Sequence, residues 1–582
     1  MKATKSKLLK MTASICLLTI MILFLLWPQL IKQQLIVGVD AIFHFNRFYD
    51  TMMQIKTNNY NYFLTNFGFD QTGRIVNALY GPIMAYLQGG ILLLSGSWLR
   101  YQIGSNILLI TLSFCSMFVL ATKLKFNFGL KILLASLYAT SPAVVVWISS
   151  QQFTGWGAAV LPLLFAGGLA FYDDHLSFQT SLALAVPMAL LLQIHTLSAL
   201  IGTIGLIPLM LTAVITNKRK STVMFYGFLA ILITLLLSGN VWAAMLDILP
   251  HNHLLTPWPY QNMADFTNSF TLGLPDTTNF AFTHGLIYWL LIISQLILGG
   301  LNWRKASAIT KALLITILLF TIIPSSFLPW DLISNAIPSL RVLLQFPRRL
   351  NVIAEVLTPV LLGLNITEIN WLKRHYWATV GIVGIWALAS LFSAGKIIAN
   401  QARVWDTDQV LAYSHNVTFT KSKSATKIAL QSANLSAGLK AIKKNSVDYL
   451  PTTKTVNYTG KSLQFAYPKY WNLVKYQPGI SKIVTNGTLN LKVKLITPTT
   501  ITLPVVLYQN SQLIINQQHL KKTDLVLNSL NQPIIKKERS SLNIQLKYRS
   551  SVLFKLAASI SSISWLIMIG YWLMRLITHF FE

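Results

Sequence analysis

The feature that most constrains this chain is a series of apolar runs, each about as long as a lipid bilayer is thick. About 20 apolar residues in a helix cross the hydrocarbon core, and these runs have roughly 16–22. They cover residues 11–27, 104–122, 130–147, 156–171, 179–194, 197–216, 222–240, 285–301, 306–325, 351–366, 377–395 and 553–577. Hydrophobic residues make up 53% of the chain and charged residues 11%, which excludes a soluble globular protein. The sequence predicts a polytopic α-helical membrane protein with about 12 transmembrane helices.

The basic loops predict the orientation of these helices. Four connecting segments are rich in Lys and Arg, namely 123–131, 216–221, 302–311 and 370–376. Such residues accumulate in cytoplasmic loops, so we place all four inside. The N-terminus is then cytoplasmic, and residues 31–103 and 400–550 are extracellular. The predicted location is the cell membrane, with multiple passes.

One apolar segment, residues 80–96, does not fit this count. It is long enough to cross, but a crossing there would place all four basic loops outside. Because four loops outweigh one hydropathy peak, we expect this segment to be re-entrant or to lie along the outer surface. Residues 31–103 then form one large external loop.

The sequence predicts three parts. Residues 1–400 form the transmembrane domain, 401–550 a small, basic, mainly β extracellular domain, and 551–582 a C-terminal transmembrane helix. The segments 488–496 and 541–548 alternate apolar and polar residues, as strands do. Residues 403–549 contain 21 Lys and Arg against five acidic residues, a charge that suits anionic partners. No nucleic-acid motif is present, so we expect no nucleic-acid partner.

The external loop begins with a predicted amphipathic helix. With Asp40 as its cap, His44, Arg47 and Thr51 lie on one side, within about 40° of Asp40. An apolar face adjoins this polar ridge, so we expect the helix to lie in the membrane interface with the ridge facing a cleft. Periodicity leaves a second interpretation open, in which Asp40 only caps the helix and Arg47 meets lipid phosphates.

Four motifs together carry a resemblance. They are "GVDAIFHFNR" at 38–47, "NFGFDQTGRIVNALYGPIMAYLQG" at 66–89, "QFPRRLN" at 345–351 and "DYLP" at 448–451. With one span before a long external loop, the chain resembles the GT-C superfamily of integral-membrane glycosyltransferases. Among these it is similar to the YfhO-like membrane proteins of Gram-positive bacteria. The resemblance covers most of the chain and implies a GT-C-like fold.

The resemblance implies an enzyme whose donor is a sugar on a polyprenyl phosphate. By position, Asp40 is the catalytic base. The leaving phosphate needs fixed cations, and the candidate binding residues are His44, Arg47, Arg74, Arg348 and Arg349. Further candidates for the acceptor or the cleft are Asp70, Tyr80, His195 and Gln345. The expected acceptor is an anionic envelope component: a teichoic acid, a polysaccharide or a lipid.

We expect no cofactor and no metal, because Val39 and Ala41 flank Asp40 where many GT-C enzymes have paired acidic residues. Two other functions stay open. A transporter or flippase of lipid-linked precursors would need charged or broken helices within the membrane, and the runs contain few charges. A non-catalytic envelope-assembly scaffold would need Asp40 only as a cap. The sequence does not predict the oligomeric state.

Overall fold

The computed structural model describes residues 2–268, 284–411, 416–494, 500–536 and 541–581, and the predicted apolar runs fall on helices, with 130–147 divided between two of them. The helices of the first 403 residues are α1 (Lys2–Leu25), α2 (Ala41–Thr57), α3 (Pro82–Ser95), α4 (Trp98–Lys123), α5 (Phe128–Ala139), α6 (Pro142–Ser150), α7 (Thr154–Leu169), α8 (Phe178–Ile194), α9 (Thr196–Thr216), α10 (Lys220–Leu237), α11 (Gly239–Ile248), α12 (Gly285–Leu301), α13 (Ala308–Ile322), α14 (Asn351–Glu368) and α15 (Tyr376–Arg403). Short helices also occur at Trp27–Leu30, Trp330–Ala336, Leu340–Leu343 and Asn370–Arg374.

Eight described helices are long and apolar enough to cross a membrane, and α5 with α6 makes a ninth candidate bent by 42°. Pro142 begins α6 and cannot donate the backbone hydrogen bond that would continue α5, which accounts for the break. The other three predicted spans, α8, α12 and α13, are apolar helices of 17, 17 and 15 residues. The protein is therefore a polytopic helical membrane protein, and the crossing of these three helices stays a prediction.

Burial separates the inner helices from the lipid-facing ones. More than four fifths of the apolar stretches that contain α7 and α14 are buried, and these two helices lie at the centre. By contrast, α1, α10 and the last helix, α20 (Val552–Phe581), expose most of their apolar surface. Exposed apolar side chains of this kind are expected where a helix meets lipid, because lipid tails are as apolar as Leu.

The predicted contact of the apolar face of α2 with the membrane is wrong, because protein covers both faces of this helix. Phe45 on the apolar face stacks on Trp98 of α4 with ring centroids 4.2 Å apart. His44 and Arg47 on the polar ridge are buried as well. The sequence could not show this, since the covering elements lie far away in the chain.

The segment at 80–96 forms α3, which has 14 residues. At 1.5 Å per residue it is about 21 Å long, short of the roughly 30 Å hydrocarbon core. This length agrees with a segment that does not cross the membrane by itself. Whether α3 is re-entrant or lies on the surface stays a prediction.

After residue 416 the chain forms short helices and then an antiparallel β region. Its strands are β3 (Val417–Phe419), β4 (Ile442–Lys444), β5 (Ile480–Thr485), β6 (Thr488–Lys494), β7 (Thr500–Thr502), β8 (Ser511–Ile515), β9 (Gln518–Lys521), β10 (Val526–Leu527), β11 (Pro533–Lys536) and β12 (Ser541–Tyr548). Two short strands, β1 (Leu64–Thr65) and β2 (Arg74–Ile75), occur earlier in the chain. The remaining helices are α16 (Lys423–Gln431), α17 (Leu435–Ala441), α18 (Gly460–Leu463) and α19 (Ala466–Val474).

The largest sheet has the strand order β5-β6-β12-β8-β9, and a three-stranded sheet has the order β10-β11-β7. The strands predicted at 488–496 and 541–548 are confirmed as β6 and β12. Residues 423–474, however, carry four helices, so most of the β structure lies after residue 480. We call residues 416–548 the C-terminal region.

The C-terminal region holds the loop that joins β1 to β2. Lys482 of β5 donates to the backbone oxygens of Asp70 at 2.9 Å, Gln71 at 3.0 Å and Pro504 at 2.9 Å. Lys443 of β4 forms an ion pair with the Asp70 carboxylate at 2.5 Å. The two lysines therefore fix the loop against the C-terminal region.

Replacing Lys482 by Met is expected to lower the free energy of unfolding by about 2 kcal/mol, because unpaired buried acceptors cost roughly 1–3 kcal/mol each. Denaturant titration of the purified protein in detergent measures the loss. Lys492→Met is the matched control, since Lys492 is exposed on the next strand of the same sheet. Equal losses in both variants would contradict the assigned role of Lys482.

Candidate active site

Asp40 immediately precedes α2, at the position of a cap, but its side chain does not cap the helix. Among the described residues its carboxylate accepts no hydrogen bond and forms no direct ion pair. The residue as a whole nevertheless keeps part of its accessible surface. The interpretation of Asp40 as a mere cap is therefore wrong, because its carboxylate makes no capping hydrogen bond.

A close backbone approach places Asp40 against the end of α6. The Gly38 N–H donates to Gln151 Oε1 at 2.7 Å, and the Asp40 N–H donates to the Ser150 oxygen at 3.4 Å. A Cβ on Gly38 would lie 2.4 Å from the Ser150 Cα, so only glycine fits here. Close packing against Ser150 therefore explains the glycine of the "GVD" motif.

Two cations lie near the Asp40 carboxylate. Lys444 of β4 donates from Nζ to the Val39 oxygen at 2.9 Å, one residue before Asp40. Arg349 lies just before α14, with its guanidinium 4.8 Å from the centroid of the Phe346 ring. Burial raises the pKa of the Asp40 carboxyl, and the charges of Lys444 and Arg349 oppose that rise. The site thus combines a poorly solvated carboxylate with fixed positive charge.

A second carboxylate, Asp448, comes from the C-terminal region. Buried Arg74 holds its loop: Nη1 donates to the Ser446 backbone oxygen at 2.8 Å, and Nη2 donates to the Asp448 backbone oxygen. Burial raises the pKa of Asp448, Arg74 opposes the rise, and the negative charge of Asp40 adds to it. The charges of Asp40 and Asp448 therefore act on each other within one region.

The Arg47 guanidinium is enclosed by protein groups. Its Nε donates to Asn77 Oδ1 at 3.0 Å, and Nη1 lies 3.1 Å from His44 Nδ1. Its Nη2 donates to the backbone oxygen of Tyr80. Burial, together with the charge of Arg47, lowers the pKa of His44 well below its usual range. In this structure Arg47 orients His44 and Tyr80, while its predicted contact with a lipid phosphate stays a proposal.

The other predicted residues differ in the groups that they contact. Tyr80 and His195 adjoin the site, with ring centroids 5.3 Å apart, and burial lowers the pKa of His195 to about 3. Arg348 is buried, 5.5 Å from the Phe266 ring centroid. Asp70 instead pairs with Lys443, and Gln345 donates to the Trp258 oxygen at 3.0 Å.

Sequence reasoning did not identify four residues of the site: Lys444, Asp448, Tyr449 and Tyr260. The ring centroids of Tyr449 and Tyr80 are 6.5 Å apart. Burial raises the pKa of the Tyr260 hydroxyl, and the negative charges of Asp40 and Asp448 raise it further. Asp448 and Tyr449 belong to the "DYLP" motif, so the sequence contained a signal for these two residues. Lys444 gave none, since lysines are frequent throughout that region.

The balance of charge favours an anionic ligand. Four cations accompany the two carboxylates: Arg349, Lys444 and Arg74 act on Asp40 or Asp448, and Arg47 acts on Tyr80 and Tyr449 beside them. Excess positive charge in a water-poor site stabilises a phosphate strongly. Within the described ranges, no three His, Cys, Asp or Glu side chains come together as a possible metal site.

A separate buried pair lies at the break between α5 and α6. Glu355 of α14 accepts from the Ala143 N–H at 2.7 Å, and its other oxygen lies 3.0 Å from His284 Nδ1. Glu355 thus satisfies a free amide at the start of α6, which the break in the helix exposes.

Comparisons with known proteins give only distant similarities. No family model and no curated protein matches the chain. A solved arabinofuranosyltransferase, AftD from Mycobacteria, matches with 16% identity and a TM-score of 0.40, over 67% of this chain and 27% of AftD. The Archaeoglobus fulgidus oligosaccharyltransferase in the apo form matches with 12% identity and a TM-score of 0.41, over 67% of this chain and 56% of its own.

The match thus spans about a quarter of one relative and just over half of the other. TM-scores below 0.5 do not establish a shared mechanism, and none of these comparisons shows the narrower YfhO-like resemblance. The case for a function rests on the geometry of the site.

Proposed function

We propose that this protein is a membrane glycosyltransferase that moves a sugar from a polyprenyl-phosphate donor to an envelope acceptor on the outer face, with Asp40 as general base. The observation that carries the proposal is the carboxylate of partly exposed Asp40, which has no hydrogen-bond partner among the described residues and lies near Lys444 and Arg349. A carboxylate with only a structural role would be expected to accept hydrogen bonds in this setting.

The proposed reaction uses these groups as follows. Asp40 accepts the proton of the acceptor hydroxyl while the hydroxyl oxygen bonds to the anomeric carbon of the sugar. The bond from that carbon to the phosphate oxygen breaks, and polyprenyl phosphate leaves with the electron pair. Arg349 and Lys444 stabilise the charge that develops on this phosphate. We propose Asp448 and Tyr449 as contacts of the sugar, because the Asp448 carboxylate interacts electrostatically with Asp40 and Tyr449 lies beside Tyr80.

The rate should depend on pH through Asp40. A base acts only when deprotonated, so transfer is expected to fall as pH drops through the pKa of Asp40. Because burial raises that pKa, the acidic limb of kcat/KM is expected above the usual Asp value of about 3.9. A pH–rate profile in proteoliposomes measures it. A rate that is flat from neutral pH down to about pH 4 would contradict a raised pKa at the base.

In the direct test, purified protein is reconstituted in proteoliposomes. It is then incubated with a panel of polyprenyl-phosphate sugars as donors and an envelope polymer fraction as acceptor. We expect one donor of the panel to release polyprenyl phosphate and to leave its sugar on the acceptor. Mass spectrometry of both products measures the reaction. If thermal melting shows that the protein is folded and no donor is turned over, the result would count against the proposal.

A flippase of lipid-linked precursors is the second candidate, and the broken span with Glu355 favours it. Sequence reasoning found few charges in the spans, yet a buried Glu–His pair lies at the break. Buried ionisable residues and interrupted helices are typical of transporters. In the same proteoliposomes, movement of a lipid-linked sugar between leaflets without transfer would support this function instead.

A further inference from the structure

The five-stranded sheet has one face in the core and one face turned outward. Leu489, Leu491 and Val493 of β6 are fully buried, as are Ile544 and Leu546 of β12. Side chains alternate between the two faces along a strand, so the residues between them point the other way. These intervening residues define what we call the outer sheet face.

Strand register places four exposed lysines on this outer sheet face. Lys492 is paired with Asn543 and Lys494 with Ser541, so both share a face with the alternate residues of β12. Lys547 is one of these alternate residues and is paired with Gln512, which in turn is paired with Lys521. Directly paired residues project from the same side of a sheet. All four lysines are exposed.

Most other residues of the outer sheet face are polar, with Ile483 and Ile514 as apolar exceptions, and the strands themselves carry no negative charge. Between the lysines lie the amides of Asn490, Asn543, Gln545 and Gln512. The five described strands contain no Asp or Glu. The face therefore offers positive charge together with groups that both donate and accept hydrogen bonds.

We propose that the outer sheet face binds an anionic, hydroxyl-rich polymer of the polyol-phosphate class. Lysines attract the phosphates, and the amides between them hydrogen-bond to hydroxyls along the same chain. A membrane surface fits less well, because membrane-binding faces insert large apolar side chains and among the described residues this face exposes only Ile483 of that kind.

Binding by this face does not depend on the transfer chemistry. Only the further step, that the bound polymer is the acceptor, rests on the proposed function. By holding the acceptor on the same molecule, the face would then raise the effective concentration of acceptor at the active site. Loss of polymer binding and loss of transfer are measured separately, so each can fail by itself.

The experiment uses the full chain in nanodiscs of neutral phosphatidylcholine. The probe is deacylated poly(glycerol phosphate), which has no lipid tail, and neutral dextran serves as the comparison. We expect saturable binding of the first and none of the second. A triple variant, Lys492→Gln, Lys494→Gln and Lys547→Gln, should weaken binding about tenfold or more and reduce its salt dependence, because phosphate contacts are lost.

The matched control is the triple variant Lys421→Gln, Lys461→Gln and Lys475→Gln, which removes the same charge from exposed positions elsewhere in the C-terminal region. It should change binding by less than about twofold, since screening confines exposed charges to short range. Equal weakening in both triples would show attraction by net charge alone and overturn the site. Binding to anionic vesicles without binding to the polymer would overturn it in favour of a membrane surface.

Discussion

Replacing Asp40 by Asn is expected to lower the rate of sugar transfer by about 10²–10⁴-fold, because general bases contribute that much and the amide cannot accept the proton. The exchange keeps the shape of the side chain. Among the described residues the carboxylate has no hydrogen bond to lose, so folding and membrane insertion should be unchanged. Transfer of labelled sugar in proteoliposomes, at matched amounts of inserted protein, measures the effect.

Asp174→Asn is the control for this prediction. Asp174 is exposed, lies in a loop predicted to be cytoplasmic, and should leave the rate within about twofold of the wild type, as surface changes usually do. Normal transfer by the Asp40 variant would remove Asp40 from the role of base. Loss in both variants would point to a general effect on the preparation.

Arg349→Gln is expected to reduce kcat by about 10²–10³-fold, because removing one group that stabilises developing charge commonly costs that much. Arg349 lies near Asp40, and its guanidinium is held by the Phe346 ring and by a 3.0 Å hydrogen bond to the Leu344 oxygen. A fixed cation costs no reorganisation when the phosphate leaves. Its effect should therefore appear mainly in kcat.

Steady-state kinetics with the donor varied separate kcat from KM. Arg341→Gln is the matched control, since Arg341 is also partly exposed but bonds to Ser334 and Asn335 instead. A rise in KM for Arg349→Gln with kcat unchanged would show that Arg349 only binds the donor. Equal effects at both positions would remove any special role.

Local patterns in the sequence predicted the elements well. The apolar runs lie on helices, and alternation in "TLNLKVK" and "SLNIQLKY" gave β6 and β12. The start of α2 after Asp40 was also predicted, since residue types near a helix start carry a short-range signal. Helical and strand periodicity is a property of neighbouring residues, so one sequence suffices to find it.

The assembly of the site could not be predicted in the same way. Lys444 meets Val39 across more than 400 residues of chain, and Arg74 meets Asp448 across almost as many. The burial of α2 also depends on tertiary contacts, such as that of Phe45 with Trp98 of α4. Glu355 gives a further example, because its partner is an amide that becomes free only where α5 and α6 separate.

The most direct measurement is a structure of the protein with a non-hydrolysable polyprenyl-phosphonate sugar. The account predicts the anomeric carbon near Asp40, with room for an acceptor hydroxyl at hydrogen-bond distance of about 2.6–3.2 Å from the carboxylate. The phosphonate should contact Arg349 or Lys444. A bound analogue whose sugar is separated from Asp40 by protein, or whose phosphonate lies away from both cations, would contradict the account.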